Sequence, residues 1–299
     1  MTNILVTGGS GFIGSHLVDA LVKEGFSVCV YDLMEPRTDV EYIQGSILDT
    51  FTLRRAMRDR QVVFHLAAVA DVGEVEKNPA YSINVNVTGT ANVLETARDL
   101  KVERIIYAST EWVYSDTNES VVDENTPIPP PKNIYTTSKL AGELMCKNFE
   151  YMYGLPNTIL RFGIPYGPRA RPTTVIAKFI KLASEGKSIT VYGTGEQFRQ
   201  FIYVEDLAEG IMKGMTPQAK NQIYNLSGSE KITVKEIAEK VKEVFKNTVI
   251  EYIPQERVAD YQGKTILSEK AKKELNWEPK TKFETGLRKY IDWFMEARQ

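Results

Sequence analysis

The chain has 299 residues, 42% of them hydrophobic, with 37 Lys plus Arg against 39 Asp plus Glu for a formal charge of −2. A chain of this length buries roughly 75% of its unfolded surface and needs no disulfide or metal to hold a core, and the even charge balance excludes the basic patch of a nucleic-acid binder or polybasic membrane-surface protein. No apolar run reaches the ~20 residues of a membrane span, and residues 1–7 lead straight into a strand, leaving no room for a signal peptide. Cys29 and Cys146 show no partner pattern, and His16 and His65 make no ligand cluster, so a reduced, cytoplasmic, metal-free protein is expected.

Taken in chain order, the first hundred residues alternate strand and helix. Asn3-Ile4-Leu5-Val6-Thr7 is a short apolar run ending in glycines. Residues 12–24 repeat apolar side chains at helical spacing (Phe12, Ile13, Leu17, Ala20, Leu21), and Gly25 stops that helix before the buried strand 27–31. Residues 61–66 read as a strand, 88–100 as a helix and 104–108 as another strand. Strands that are continuous apolar runs separated by helices predict a parallel sheet covered on both faces, and right-handed crossovers make it doubly wound. The stretch 124–132, with Pro127, Pro129, Pro130 and Pro131, can be neither helix nor central strand. A helix is expected over 135–153 and a strand over 158–162, then a loop with Pro165, Gly167, Pro168 and Pro172. Amphipathic helices follow near 174–186, 233–246, 268–275 and 284–297. The predicted fold is α/β: a doubly wound parallel (Rossmann) sheet over 1–165, with segments near 200–228 returning to it. A smaller mixed α/β lobe over 166–299 supplies the substrate contacts.

Gly8-Gly9-Ser10-Gly11-Phe12-Ile13-Gly14 lies between the first strand and the first helix. Glycines there permit positive φ and let backbone N–H groups approach a pyrophosphate at the helix N-terminus. A glycine pattern alone also describes an ordinary turn; here Asp32, ending the second strand about twenty residues on, suits the adenosine ribose hydroxyls. A carboxylate repels a 2′-phosphate and so favours NAD over NADP, with Arg37 near enough to weaken that preference. Ser46-Ile47, after the third apolar stretch, either meets the adenine or is a plain strand-to-loop junction.

Tyr135-Thr136-Thr137-Ser138-Lys139 sets a phenol and an ammonium on one helix face. A nearby cation favours phenolate and so draws the tyrosine toward general-base duty, and Lys139 can bond the nicotinamide ribose. The same spacing occurs on solvated helices. The glycine loop, and Ser109-Thr110 ending a parallel strand where ligands of such sheets bind, give the pair its meaning.

With these residues assembled, the chain resembles the extended short-chain dehydrogenase/reductase family, in its branch of nucleotide-sugar epimerases and dehydratases. The similarity runs through residues 7–14, His65-Leu66-Ala67-Ala68, Asn86-Val87-Thr88-Gly89-Thr90, Ser109-Thr110 with Val113-Tyr114, residues 135–139, Tyr166-Gly167-Pro168-Arg169, 193–206 and 257–260. The resemblance implies NAD bound by Gly8, Gly11, Phe12, Ile13, Asp32, Ser46, Ile47, Leu66, Ala67, Ala68, Asn86, Ser109, Tyr135 and Lys139. It implies that Tyr135 takes the proton of a sugar 4-hydroxyl, with Thr110 bonding the same oxygen, to give a 4-keto sugar nucleotide. Arg199 and Arg257 match positions resembling pyrophosphate clamps, with Asp260 beside the second; the two arginines also read as solvated surface residues.

The family's 4,6-dehydratases resemble one another in an Asp-Glu pair after the threonine, and its decarboxylases carry a glutamate near the second of those positions. This chain has Glu111-Trp112, and an indole cannot abstract a proton. Glu111 is a catalytic candidate or simply a loop carboxylate. Epimerisation needs only Tyr135, Lys139 and a hydroxyl, so a 4-epimerase acting on a UDP-hexose is expected, with a dehydratase as the alternative and a non-catalytic NAD sensor further off. Ile164 and Ser115 replace an asparagine and a glycine usual in the family, which leaves the sugar's identity and pose open. Helices near 90–100 and 138–153 would pair into a homodimer interface by the same resemblance. His65 reads as a strand-end residue beside the cofactor and Cys146 as helix core.

Overall fold

The computed structural model describes residues 2–254 and 263–297. In chain order the strands and helices of the first half are β1 (Asn3–Thr7), α1 (Phe12–Lys23), β2 (Ser27–Asp32), β3 (Glu41–Gln44), α2 (Thr50–Met57), β4 (Val62–His65), α3 (Val72–Lys77), α4 (Pro79–Ile83), α5 (Gly89–Asp99), β5 (Arg104–Thr110), β6 (Val121–Val122) and α6 (Ile134–Tyr153). Then come β7 (Asn157–Phe162), β8 (Ile164–Tyr166), α7 (Val175–Ser184), β9 (Ile189–Tyr192), β10 (Phe198–Tyr203), α8 (Val204–Lys213), β11 (Gln222–Leu226), β12 (Lys231–Thr233), α9 (Val234–Val244), β13 (Ile250–Ile253), β14 (Thr265–Ile266), α10 (Glu269–Leu275) and α11 (Phe283–Glu296). A wide π-helical turn, Asn84–Thr88, joins α4 to α5.

Seven strands form the main sheet in the order β3-β2-β1-β4-β5-β7-β11, with every neighbouring pair parallel. The expected doubly wound architecture is therefore present, and the sheet takes its last strand from residues 222–226. Alternate side chains go to opposite faces, as the pleat requires. Ile4, Val6, Ile106 and Ala108 join α1 and α8 side chains such as Leu17, Leu21, Leu207 and Ile211 in one core. Leu5, Ile105 and Tyr107 join Leu53, Val93, Leu94 and Cys146 of α2, α5 and α6 in the other. Strand order reverses between β1 and β4, and the crevice at their carboxyl ends is where ligands of such sheets sit. A third core, with Phe179, Ile180, Ile237, Val241, Leu287 and Tyr290, gathers around β9, β10, α7, α9 and α11.

The chain's own chemistry marks the ends of α6. Asn133 Oδ1 accepts from Thr136 N at 2.8 Å at the start, and Gly154, at φ 67°, closes the other end. The helix crosses β5 closely: a Cβ on Gly142 would stand 2.0 Å from Tyr107 Oη, which donates to Lys139 O at 3.2 Å. In an open helix Gly→Ala gains up to about 1 kcal/mol. At this crossing overpacking reverses the sign, and Gly142→Ala is expected to destabilise the protein by about 1–3 kcal/mol. A urea midpoint equal to or above that of the parent chain would show that α6 can back away from Tyr107.

Candidate active site at the carboxyl edge of the sheet

The glycine loop packs against the end of β4. Gly8 sits at φ 76°, and a Cβ there would lie 2.6 Å from Ala67 N; a Cβ on Gly14 would lie 2.1 Å from Gly8 O. No larger residue could occupy either position without opening the loop. Helix α1 starts at Gly11 with no side-chain cap and no acidic residue in its first turn. The amides of Phe12, Ile13 and Gly14 are the orphan donors of a helix start, aimed at the crevice. Asp32 is held beside them, Oδ2 accepting from Ser10 N at 3.0 Å and Oδ1 from Met34 N at 3.2 Å. An uncapped helix start with a carboxylate beside it fits a dinucleotide.

Other expected cofactor residues work through the protein. Leu66 N donates to Thr7 O at 3.0 Å, so residues 66–68 run beside Gly8. Asn86, in the π turn, accepts from Val69 N at 2.8 Å and donates to Val69 O and Ser138 Oγ, both at 3.0 Å. Its amide thus ties the segment after β4 to α6, and a cofactor contact would require one of these bonds to yield. Ser109 Oγ donates to Glu143 Oε1 at 2.5 Å. Ser46 Oγ accepts from Leu48 N at 3.2 Å, and Ile47 is buried against the α-carbon of Gly89. His65 bonds Thr7 at 2.8 Å and Thr90 at 3.0 Å within the sheet. Burial, helped by the charge of Lys139, drives its pKa down to about 3. It is a neutral strut.

Thr110 and Tyr135 come together at the end of β5. The Thr110 and Tyr135 hydroxyls share a hydrogen bond, and Thr110 Oγ1 also accepts from Trp112 N at 3.2 Å. Lys139 is buried one turn along α6, its Nζ 4.8 Å from the Tyr107 ring centre. Burial lowers its pKa to about 8 against the opposing pull of Cys146 and Glu143. The expectation that Lys139 would draw the Tyr135 phenol down is not met. Burial raises the Tyr135 pKa, and what opposes it is the Thr110 hydrogen bond and the charge of Arg171. Desolvation outweighs both. The Trp112 indole stands edge-on to Tyr135, ring centres 6.4 Å apart at 84°.

Glu111 is 2% exposed. Ser227 Oγ bonds its Oε2 at 3.1 Å. Burial pushes its pKa up to about 8, although Ser227 and the charge of Arg199 work against the rise. Arg199 lies half-buried on β10, its Nη1 donating to Phe198 O at 2.8 Å. The expected substrate residues Arg257 and Asp260 lie outside the described residues.

Sequence reasoning missed the network beneath these groups. Arg161 on β7 donates from Nε and Nη2 to Glu143 on α6 at 2.9 and 2.7 Å, and from Nη1 to Tyr114 Oη at 2.6 Å. Tyr114 in turn donates to Asn225 on β11 at 3.0 Å. Glu143 follows Lys139 by one helical turn, a signal available in the sequence. Arg171, paired with Asp71 at 3.3 Å, was also missed; it lies in a proline-rich loop with no period to mark it. Among the described residues no group of His, Cys, Asp and Glu could hold a metal ion, and no helix is long and apolar enough to cross a membrane.

A carboxyl group whose folded pKa is raised destabilises the fold once it would ionise in the unfolded chain. Glu111 contributes no such cost below about pH 4.5; the cost grows through the interval up to its folded value of about 8 and then levels. Glu111→Gln, neutral throughout, should therefore gain stability relative to the parent chain as pH rises from 5 to 8. Denaturant unfolding at both pH values measures it, and a constant difference would show that Glu111 is ionised in the folded protein.

The sequence model of the NAD dependent epimerase/dehydratase family matches residues 4–227. A putative UDP-glucose 4-epimerase of Methanocaldococcus jannaschii is 33% identical over 97% of this chain and 97% of its own length. A dTDP-D-glucose 4,6-dehydratase of Bos taurus is 29% identical over 98% of this chain and 88% of its own. Among solved structures, UDP-glucose 4-epimerase of Thermotoga maritima with UDP-glucose superposes at a TM-score of 0.92, with 31% identity and all of both chains covered.

Proposed function

Since the chain belongs to the NAD-dependent epimerase/dehydratase family, we propose that it is a nucleotide-sugar 4-epimerase working through a transient 4-keto sugar on a UDP-hexose. The observation that carries this reading is the contact between Thr110 and Tyr135 with an indole, not a second carboxylate, against them. Elimination across C5 and C6 needs an acid and a base, whereas reversible oxidation at C4 needs one proton acceptor and a hydroxyl to hold the oxygen.

The residues that would hold NAD are Gly11 with the free amides of Phe12 and Ile13 at the pyrophosphate, Asp32 at the adenosine ribose and Ser46 with Ile47 at the adenine. Gly8 and residues 66–68 would form the wall, kept in place by Asn86 and Ser109, with Lys139 and Tyr135 at the nicotinamide ribose. Bound NAD supplies a reversible hydride acceptor. The chain's own part is a proton relay: Tyr135, ionised to phenolate before the step, receives at Oη the proton of the sugar 4-hydroxyl and later returns it to the same oxygen, while Thr110 Oγ1 bonds that oxygen throughout. Burial raises the Tyr135 pKa, so forming the phenolate needs positive charge nearby: the charge of Arg171 opposes the rise, and Lys139, with a pKa of about 8, is itself cationic at neutral pH. Arg199 meets the diphosphate with forked donors, joined in this proposal by Arg257 and Asp260.

A 4,6-dehydratase is the second reading, favoured by Glu111 alone. A carboxyl group with a pKa near 8 is protonated at neutral pH and suits an acid for a departing hydroxyl. Sugar-proton NMR in D2O with NAD and a panel of UDP-, dTDP-, GDP- and CDP-hexoses separates the two. Epimerisation changes the C4 coupling pattern and brings no deuterium to C5; a new methyl signal with deuterium at C5 would establish dehydration instead. Tyr135→Phe should cut turnover by about 10²–10⁴-fold while NAD still binds. A variant that keeps its output would make the chain a sensor.

We also propose a homodimer through α5 and α6, in a cytoplasmic setting that keeps Cys29 and Cys146 reduced. The outer face of α6 exposes Leu144 at 56%, Tyr151 at 92% and Met152 at 64%, an apolar burden unusual for a solvated helix. Sedimentation at micromolar concentration should give twice the chain mass, and a monomer there would refute the pairing.

A further inference from the structure

Helix α1 holds two loops that lie far apart in the chain. Phe12, His16 and Asp19 fall at i, i+4 and i+7, on one face of the helix. His16 Nε2 lies 2.9 Å from Pro168 O; a carbonyl only accepts, so Nε2 carries the proton and donates. The same ring stands edge-on to Phe12, ring centres 6.0 Å apart. One turn on, the two oxygens of Asp19 are divided between partners. Oδ2 accepts from Arg169 Nη1 at 2.7 Å, and Oδ1 accepts from Thr38 Oγ1. Thr38 belongs to the segment between β2 and β3 that begins after Asp32, and Arg169 to the loop between β8 and α7.

Each loop borders the crevice. The first follows Asp32 and is tied to the glycine loop, Ser10 Oγ donating to Met34 O at 2.5 Å. The second leaves the sheet at its carboxyl edge, a few residues past Phe162, which pairs with Thr110 across β5 and β7. It is sharply turned: Gly167 lies at φ 137° and Arg169 at φ 66°, and Ala170 N donates back to Gly167 O at 3.2 Å. Glycine takes φ 66° freely, whereas a residue with a Cβ is strained there. The Arg169 side chain offsets that strain with a charge-assisted bond to Asp19, the two side chains being 23% and 37% exposed. Farther along the loop, Arg171 pairs with Asp71, after β4, at 3.3 Å. The turn is therefore anchored to the dinucleotide side at both ends, and through Asp19 it is joined to the segment that follows Asp32.

We propose that Asp19 is a positioning residue that couples the two ligands: NAD at Asp32 settles the segment holding Thr38, Thr38 fixes the Asp19 carboxylate, and Asp19 fixes Arg169 and its turn. This rests on the reading that the far side of the crevice takes a nucleoside diphosphate sugar. Such coupling is reciprocal, so each ligand tightens the other by one factor, typically ~5–150-fold. The test is calorimetric titration of the nucleotide-free chain with UDP, with and without saturating NAD, and with NAD, with and without saturating UDP. UDP as the probe avoids turnover. In the parent chain NAD should tighten UDP by at least ~5-fold, and UDP should tighten NAD equally.

Three variants cut the chain of contacts at different links. Asp19→Asn still accepts from Thr38 but loses the charge that Arg169 meets. Thr38→Val breaks the other bond and touches nothing in the 167–171 turn. Arg169→Gly removes the guanidinium while relieving the backbone, so it stays folded should the others lose stability. Each should bring the coupling factor below ~2-fold, and Arg169→Lys should keep part of it. A merely structural role would weaken both ligands and leave the factor alone. An unchanged factor in Asp19→Asn and Thr38→Val, or a parent chain with no coupling, would overturn the proposal and leave the 4-epimerase reading standing. A parent chain that binds NAD but neither UDP nor a UDP-hexose would end both.

Discussion

The geometry of the site depends on a carboxylate and a guanidinium held together out of water. Glu143 on α6 takes three hydrogen bonds, two from Arg161 on β7 and one from Ser109 on β5, and both charged side chains are almost fully enclosed. Removing one partner of such a pair costs about 3–5 kcal/mol, although a well-packed apolar pair could be as stable. What the ions add is position. Helix α6 carries Tyr135 and Lys139, and β5 ends in Thr110. A slide of α6 along the sheet would strand a charge, so α6 and β5 are locked in register. The same guanidinium reaches Tyr114, and through it Asn225 on β11, extending the lock across the carboxyl edge of the sheet.

Desolvation at that edge sets the proton chemistry. His65 is driven to about 3 and neutralised, whereas Lys139 and Glu111 are both brought to about 8 from opposite sides. Burial raises an acid and lowers a base, so the two meet near neutral pH. At pH 7 the glutamic acid is mostly neutral and the lysine mostly cationic.

Much of this was legible in the sequence because it is periodic or punctuated. Apolar runs between helices specified the parallel sheet, and Gly8 and Gly14 proved to be positions where a Cβ would collide with backbone. Helix 135–153 differs from the observed Ile134–Tyr153 by one residue because Asn133 caps it and Gly154 ends it. Helices α3 and α4 were not anticipated: at six and five residues they are too short to show a period, and Asp71 and Asn78-Pro79 also read as turn residues. The π turn at Asn86 resembles an ordinary helix in sequence. Charge partners across the fold were invisible for a different reason. Arg161 and Glu143, or Arg171 and Asp71, are brought together only by tertiary closure, and no local spacing records them.

Glu111 and Trp112 show why the reaction is harder to read than the fold. A glutamate after Thr110 suggests a carboxylate facing the sugar, yet its Oε2 bonds Ser227 beyond β11, and burial among apolar neighbours holds it protonated. The indole next to it fills the edge of Tyr135. It adds apolar surface where a second acid or base would stand, and apolar surface beside a phenol raises the cost of ionising it. What opposes that cost at Tyr135 is the hydrogen bond with Thr110 and the charge of Arg171.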